Sequence, residues 1–396
     1  MIKIEKEKCC GCSACEQACP QNCIVMEMDQ EGFFYPNVNH TRCIDCKICE
    51  RVCPFLSEHK NTEFKPQIVG AKANDDKVRY WSSSGGIFTL IAEKIIDDGG
   101  VVFGAEMSED CSYVRHVVVN DKENLYKLRG SKYIQSRTNN TYSVIQTYLR
   151  EGKRVLFTGT PCQISGLRLF LKKDYEDLFC VDIICHGVPS EKLWNSYLSH
   201  IERKYRKKIK SVAFRSKKYS WGNFGFNLSF DKKSVFKYSF EDPFFRMFNS
   251  SYSMRPSCYE CKSKGSRTLA DMSIGDFWGI NKVFPDFNDD KGVSIVLVNT
   301  AKGKYLFEQI KDRMSLTDDF IEYDTAITYN PPIEYSIEKS SMRTSFYEDV
   351  LRLSFHELEK KYTPMGPRRK WKAIKMKLQN RMNISGEGYG VMIEFK

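Results

Sequence analysis

Cysteine is the side chain in this chain whose number and spacing point most directly to chemistry. Sixteen cysteines are present, and ten of them fall within residues 1–53. Cys9-x2-Cys12-x2-Cys15-x3-Cys19-Pro20 is followed by Cys43-x2-Cys46-x2-Cys49-x3-Cys53-Pro54, one rhythm written twice. Three thiolates at i, i+3 and i+6 in a tight loop can take three corners of an iron–sulfur cubane. The fourth cysteine of each run starts a helix and reaches the other cluster. The spacing therefore assigns Cys9, Cys12, Cys15 and Cys53 to one [4Fe–4S] cluster and Cys43, Cys46, Cys49 and Cys19 to a second. A pair of zinc knuckles fits poorly, because zinc sites take four ligands in two pairs separated by a longer loop. Cys10 and Cys23 lie outside the rhythm and read as bystanders.

Four further cysteines are placed to converge. Cys162 and Cys185 each follow an apolar run that reads as a strand, and Cys258-x2-Cys261 occupies a loop rich in Lys, Ser and Gly. A third [4Fe–4S] cluster would use all four at once. Taken singly, Cys162 and Cys185 would be buried small hydrophobes, as Cys180 is expected to be, and the C-x-x-C pair would hold zinc or cycle as a dithiol.

The elements that must position these residues alternate. Ile24 to Met28 and Phe33 to Pro36, flanking Asp29-Gln30-Glu31-Gly32, read as a β-hairpin between the two cysteine runs. A polar linker over 56–67 leads to a strand at Ile68-Val69-Gly70-Ala71. Ser82-Ser83-Ser84-Gly85-Gly86 then feeds a helix with Ile87, Leu90, Ile91, Ile95 and Ile96 on one face, closed by Gly99-Gly100 before the next strand. A small-residue loop at a helix start offers N–H groups to a pyrophosphate, or is an ordinary cap. Val155 to Thr158 and Phe179 to Ile184 are the strands before Cys162 and Cys185, and Ser190 is positioned to cap the following helix. The fold expected is thus a multidomain α+β and α/β chain. A two-cluster ferredoxin domain (1–60) precedes an α/β body with a largely parallel sheet, whose ligands bind at the carboxyl ends of its strands. The body divides into 66–150 and 151–330, and a helical basic tail occupies 331–396.

Composition limits the function classes. Apolar residues make up 41% and charged residues 28%, a globular balance over a length suited to two or three domains. No apolar run reaches the roughly 18 residues of a spanning helix, and no signal-peptide pattern opens the chain, so a cytoplasmic location is expected. Cysteines there serve metal or redox chemistry more than disulfides. The net charge of +11 is uneven. Residues 1–60 hold seven Lys/Arg against nine Asp/Glu, while residues 361–396 hold nine against two. The body lacks the interleaved basic and aromatic residues of a nucleic-acid module, so no nucleic-acid partner is expected.

Five further stretches carry a family resemblance. They are Ser83-Ser84-Gly85-Gly86-Ile87-Phe88, Arg129-Gly130-Ser131-Lys132-Tyr133-Ile134-Gln135-Ser136, Gly159-Thr160-Pro161-Cys162-Gln163, Asp182-Ile183-Ile184-Cys185-His186-Gly187-Val188-Pro189-Ser190 and Gly275-Asp276-Phe277-Trp278-Gly279. In this order, and with the cysteine runs, they cover residues 1 to about 330. The chain resembles the coenzyme F420 hydrogenase/dehydrogenase beta-subunit family, in the version with an N-terminal two-cluster ferredoxin. The resemblance implies an FAD-containing iron–sulfur oxidoreductase that passes electrons between clusters and a two-electron carrier of the coenzyme F420 type or another small-molecule substrate. It places FAD against Ser84, Gly85 and Gly86, against Ser131, Lys132 and Gln135, and near Gly159, Thr160 and Pro161. Lys132 would offset pyrophosphate charge or bond the flavin ring, unless it is a plain surface lysine. His186 would move protons near neutral pH, or be a loop residue satisfied by backbone. Hydride transfer to flavin needs no protein acid, so no catalytic residue is assigned.

Two functions remain open at this point. One is an enzyme with its own small-molecule substrate, such as a deazaflavin. The other is an electron-transfer subunit that docks on a redox partner protein. In the tail, residues 366–383 hold Arg368, Arg369, Lys370, Lys372, Lys375, Lys377 and Arg381 without an acidic residue, and Trp371, Ile374, Leu378 and Met382 share a helical face. Such a helix either packs that face on its own body or lies on anionic lipid or an acidic partner.

Overall fold

The computed structural model describes residues 2–57 and 65–384. The hairpin between the cysteine runs pairs β1 (Ile24–Met28) with β2 (Phe34–Val38), antiparallel, with Ile24 opposite Val38. Its turn is closed by Asp29, whose carboxylate accepts from the backbone N–H groups of Glu31, Gly32 and Phe33. On either side, the helices Ala14–Gln17 and Ile48–Arg51 begin at matched points of the two runs and end before Cys19 and Cys53, so the fourth cysteine of each run follows a helix instead of starting one.

Nine strands of the body form one sheet. In chain order they are β3 (Gln67–Ala73), β4 (Val101–Met107), β5 (Val114–Val119), β6 (Ser136–Arg137), β7 (Val155–Gly159) and β8 (Leu178–Ile183), all before residue 190. Counting onward past the separate strands β9 (Ser211–Ser216), β10 (Gly225–Phe230) and β11 (Lys233–Tyr238), the sheet continues with β12 (Met272–Asp276), β13 (Ser294–Val298) and β14 (Met314–Leu316). Its order is β14-β3-β13-β12-β8-β7-β4-β5-β6, so residues 66–150 and 151–330 contribute to the same sheet.

The centre, β12-β8-β7-β4, is parallel, as the strand–loop–helix units require. Antiparallel ladders flank it: β12 with β13, β13 with β3, β3 with β14, and β4 with β5. The sheet is therefore mixed where alternation alone suggested a largely parallel one. The reason lies in the connections, since β4 and β5 are joined by a short turn at 108–113 that can only reverse the chain.

Two helices of the body match the sequence pattern. Ile87–Asp97 buries Ile87, Leu90, Ile91 and Ile95, and Glu191–Tyr205 starts where the Ser190 hydroxyl accepts from the Leu193 N–H. The antiparallel sheet β9-β10-β11 was not expected. Alternate residues of β10, Phe226, Leu228 and Phe230, are buried in an aromatic core with Trp194, Tyr197 and Phe244. Three helices follow, Arg343–Arg352, Phe355–Tyr362 and Pro367–Ile384. No helix among the described residues is long and apolar enough to cross a membrane.

Of the two alternatives for the apolar face of the last helix, packing on the body is not the one observed. Trp371, Ile374 and Leu378 are exposed, while Ala373, on the opposite face, is buried. Lys377 bonds Glu241 at 2.6 Å, and Lys372 sits over the Phe240 ring. The side chain of Met382 lies outside the described residues.

Candidate functional site

β7 and β8 are parallel neighbours, so the loops after them open on one sheet edge. The first loop enters the helix Pro161–Leu171 through a reciprocal cap, with Thr160 and Gln163 exchanging side-chain and backbone hydrogen bonds. That cap fixes Cys162 at the helix start. Cys185 follows β8. Cys258 is set by a short 3-10 helix, Pro256–Glu260, anchored where the Arg255 N–H donates to the Val188 carbonyl. The Cys261 N–H donates to Ser336.

Cys162, Cys185, Cys258 and Cys261 line a single cavity. Burial raises the pKa of all four thiols, with the interaction with Cys10 the larger cause at Cys162. Two buried cations flank the cavity, Arg255 and Lys264. Lys264 donates to the carbonyls of Cys185 and Tyr335. Cys180 is buried in mid-strand, as expected.

Cys19, Cys43, Cys46 and Cys49 surround one small cavity. Cys15 interacts electrostatically with Cys9 and Cys53, and Cys12 with Cys15 and Cys53. The two bystanders are closer to the chemistry than their spacing suggests. Cys10 lines the four-cysteine cavity and interacts with Cys12 and Cys162, and the Cys23 sulfur is 3.4 Å from Cys19.

A larger cavity of about 540 Å³ lies along the carboxyl ends of β7, β8 and β12, within the range of small-molecule and cofactor sites. Ser84, Gly86, Ser131, Lys132, Gly159 and Thr160 line it. The Ser131 N–H and hydroxyl both bond the Ser83 hydroxyl, tying the two loops together. Three of the nine residues implied by the resemblance are elsewhere. Gly85 is pressed on the sheet, where a Cβ would stand 2.4 Å from the Ala71 carbonyl oxygen. Gln135 and Pro161 line the four-cysteine cavity instead.

Lys132 is not a free surface lysine. Its ammonium donates to the Lys127 and Arg129 carbonyls, and burial pushes its pKa down to about 7. His186 lines both cavities, and its Nε2 has no hydrogen-bond partner. The expected backbone satisfaction is thus missing at that nitrogen. Burial, aided by Lys264, lowers its pKa to about 4, so the imidazole is neutral at physiological pH. His116, which no motif marked, also lines the large cavity and is held by Ser136 and the Thr158 carbonyl. Arg255 was missed as well. Its one sequence signal is position, three residues before Cys258.

The two cavities share a wall. Thr160, Gln163 and the stretch Cys185-His186-Gly187-Val188 line both. Cys10 of the first run lines the four-cysteine cavity, while Cys43 and Cys46 of the second run are partly exposed.

Residues 8–56 match the 4Fe-4S dicluster domain, 68–141 the N-terminal and 152–321 the C-terminal region of the coenzyme F420 hydrogenase/dehydrogenase beta subunit. No curated protein matches the chain. Among solved structures, a chain of the F420-reducing [NiFe] hydrogenase complex from Methanosarcina barkeri is similar at 17% identity and TM-score 0.46, covering 79% of this chain and 97% of that one. Among the described residues, no three His, Cys, Asp or Glu side chains gather around a point where a single metal ion would sit. A cubane differs from such a site in holding each of its cysteines on a separate iron. The chain is an iron–sulfur electron-transfer protein and belongs to the coenzyme F420 hydrogenase/dehydrogenase beta-subunit family, in the form that carries a 4Fe-4S dicluster domain.

Proposed function

We propose that the chain is an iron–sulfur flavoprotein oxidoreductase that carries electrons between an FAD in the large cavity and the protein surface. The route runs through three [4Fe–4S] clusters. The observation that carries this reading is the shared wall, which sets the flavin-sized cavity against the four-cysteine cavity. Cys162, Cys185, Cys258 and Cys261 would hold the third cluster. The donor set fits: four sulfurs converge, and Arg255 and Lys264 supply buried positive charge next to them. FAD fits the large cavity in size, and the orphaned His186 Nε2 offers it a polar partner. When bound, FAD supplies the exchange between paired and single electrons. Lys132 and the Gly159-Thr160 loop, which line that cavity, would help hold it.

The reconstituted protein should carry stoichiometric FAD and about twelve iron atoms, four per cubane. The Cys258→Ala/Cys261→Ala variant should lose about four of them and stop electron passage between flavin and ferredoxin clusters. Eight iron atoms in the wild type, or full iron in the variant, would sink the third cluster. Release of FMN, or no flavin, would sink the FAD site. Bleaching of the flavin by F420H2 or NAD(P)H, with no other protein present, separates an enzyme with its own substrate from a subunit that serves a redox partner protein.

The outward-facing stripe Trp371, Ile374 and Leu378 favours a second contact, peripheral attachment to an anionic lipid surface. A second copy is disfavoured, because it would set like basic helices against each other. Vesicles containing phosphatidylglycerol should retain the holoprotein, and Trp371→Ser/Ile374→Ser/Leu378→Ser should release it. Equal distribution of both proteins would refute the lipid contact, and binding to an acidic protein alone would replace it.

A further inference from the structure

Arg255 is 1% exposed, and each of its acceptors is neutral or sulfur. Nε donates to the Cys9 carbonyl at 2.7 Å, and Nη1 to the Gln135 amide oxygen at 3.0 Å. Nη2 donates to the Phe34 carbonyl at 2.7 Å and lies 3.7 Å from the Cys9 sulfur. The guanidinium stacks over the Tyr35 ring at 4.4 Å. None of these groups carries a fixed negative charge, and an uncompensated buried cation is costly. The chain also makes room for it: at Gly11, where φ is +66, a Cβ would stand 2.8 Å from Nη1. Four thiolates around an iron–sulfur cubane leave a net negative charge, and each added electron deepens it.

We propose that Arg255 is the counter-charge of the cluster held by Cys9, Cys12, Cys15 and Cys53, raising its reduction potential and holding the ferredoxin domain on the body. Arg255 reaches from the Cys9 loop into the wall of the four-cysteine cavity, so it joins the two sites across which electrons must pass. The step it favours is a one-electron transfer, in which the cluster is reduced and its donor cluster oxidised. No proton moves, because a guanidinium stays protonated. The inference rests on the cluster assignment proposed above.

The test is a redox titration of the full reconstituted chain, followed by EPR. Arg255→Gln should lower the midpoint of the Cys9 cluster and leave the Cys43 cluster unchanged. Arg255→Lys keeps the charge and should stay near the wild type. Gln135→Glu sets a carboxylate against Nη1 and should lower the same midpoint. That variant decides the matter if Arg255→Gln takes up too little iron to titrate. An unchanged midpoint in an iron-replete Arg255→Gln protein, an unchanged midpoint in Gln135→Glu, or an equal fall in both clusters would overturn the role. A wild type without two ferredoxin-type signals would instead remove the cluster assignment beneath it.

Discussion

The two cysteine runs have one spacing and nearly one backbone, yet they live in opposite surroundings. Gly11 and Asp45 have left-handed φ values of 66° and 51° at matched positions, and Ser13 and Lys47 repeat the match at 60° and 57°. In the first run Cys9, Cys12 and Cys15 are buried, while in the second Cys43 and Cys46 remain partly open to solvent. The body makes the difference. The carbonyls of Cys9, Cys10 and Cys12 accept from Arg255, Gln135 and Thr138, respectively. In the second run the Cys46 carbonyl accepts from Arg51, within its own domain. A duplicated motif has thus been split into an inner site, shielded and tied to the body, and an outer site left partly open to solvent. Burial and hydrogen bonding to the cluster surroundings also tune potential, so the same ligands need not give the same electrochemistry.

The largest expected effect tests how firmly the hairpin is bound on its inner side. Phe33 is 1% exposed and packs against Tyr347 of the helix Arg343–Arg352, with ring centroids 5.6 Å apart. Phe33→Ala should cost about 3–5 kcal/mol in urea unfolding, as deletion of a buried ring does. Val25, on the open side of the same hairpin, is 54% exposed, and Val25→Ala should change stability by less than about 0.5 kcal/mol. Similar losses for the two would mean that both faces are equally supported.

A smaller effect separates the ion pairs of the two sides. Arg343 is buried and makes a two-pronged contact with Glu31 at 3.1 and 2.6 Å. Glu31 is partly exposed, which softens the penalty of leaving it alone, so Arg343→Ala should cost about 2 kcal/mol. Lys6 pairs with Asp29 at 2.7 Å, but its side chain is half in water. Lys6→Ala should cost no more than about 1 kcal/mol. Thermal unfolding of both variants checks the ordering, and a larger loss from Lys6→Ala would reverse it.

How much of this was written in the sequence depends on the distance over which the residues meet. The cluster cysteines, the hairpin and the Ser190 cap were legible because each is a local pattern of a few residues. The convergence of Cys162 and Cys185 followed from two neighbouring parallel strands. The inner and outer fates of the two runs were not legible, since Arg255 and Gln135 reach the first loop from more than a hundred residues away. Gln135 shows the limit of a motif. It lies in the segment expected at the flavin, yet its amide turns to the Cys10 carbonyl and Arg255. The sheet β9-β10-β11 had a signal in the alternation of Phe226, Leu228 and Phe230. The lysine-rich strand beside it, β11, hides that signal because it buries few of its own residues. The direction of the last helix's apolar stripe stayed open for another reason. Periodicity shows that a face exists, and only the packing partner shows which way it turns.

The smallest effect concerns the residue that follows the first cysteine of each run. Ile44 follows Cys43 and is 61% exposed, an apolar side chain in water beside a partly open cluster site. Cys10 follows Cys9, is buried, and touches both Cys12 and Cys162. If the outer run is where a protein donor docks, Ile44→Ser removes apolar contact area from that encounter. Loss of about 1 kcal/mol of binding corresponds to roughly a fivefold rise in KM for the donor. The maximal rate and iron content should hold, because no ligand is touched. Cys10→Ser should leave the donor KM unchanged, since nothing approaching from solvent reaches it. Steady-state reduction by a small ferredoxin, with its concentration varied, reads both variants. A raised KM in Cys10→Ser with none in Ile44→Ser would place the docking face on the wrong run.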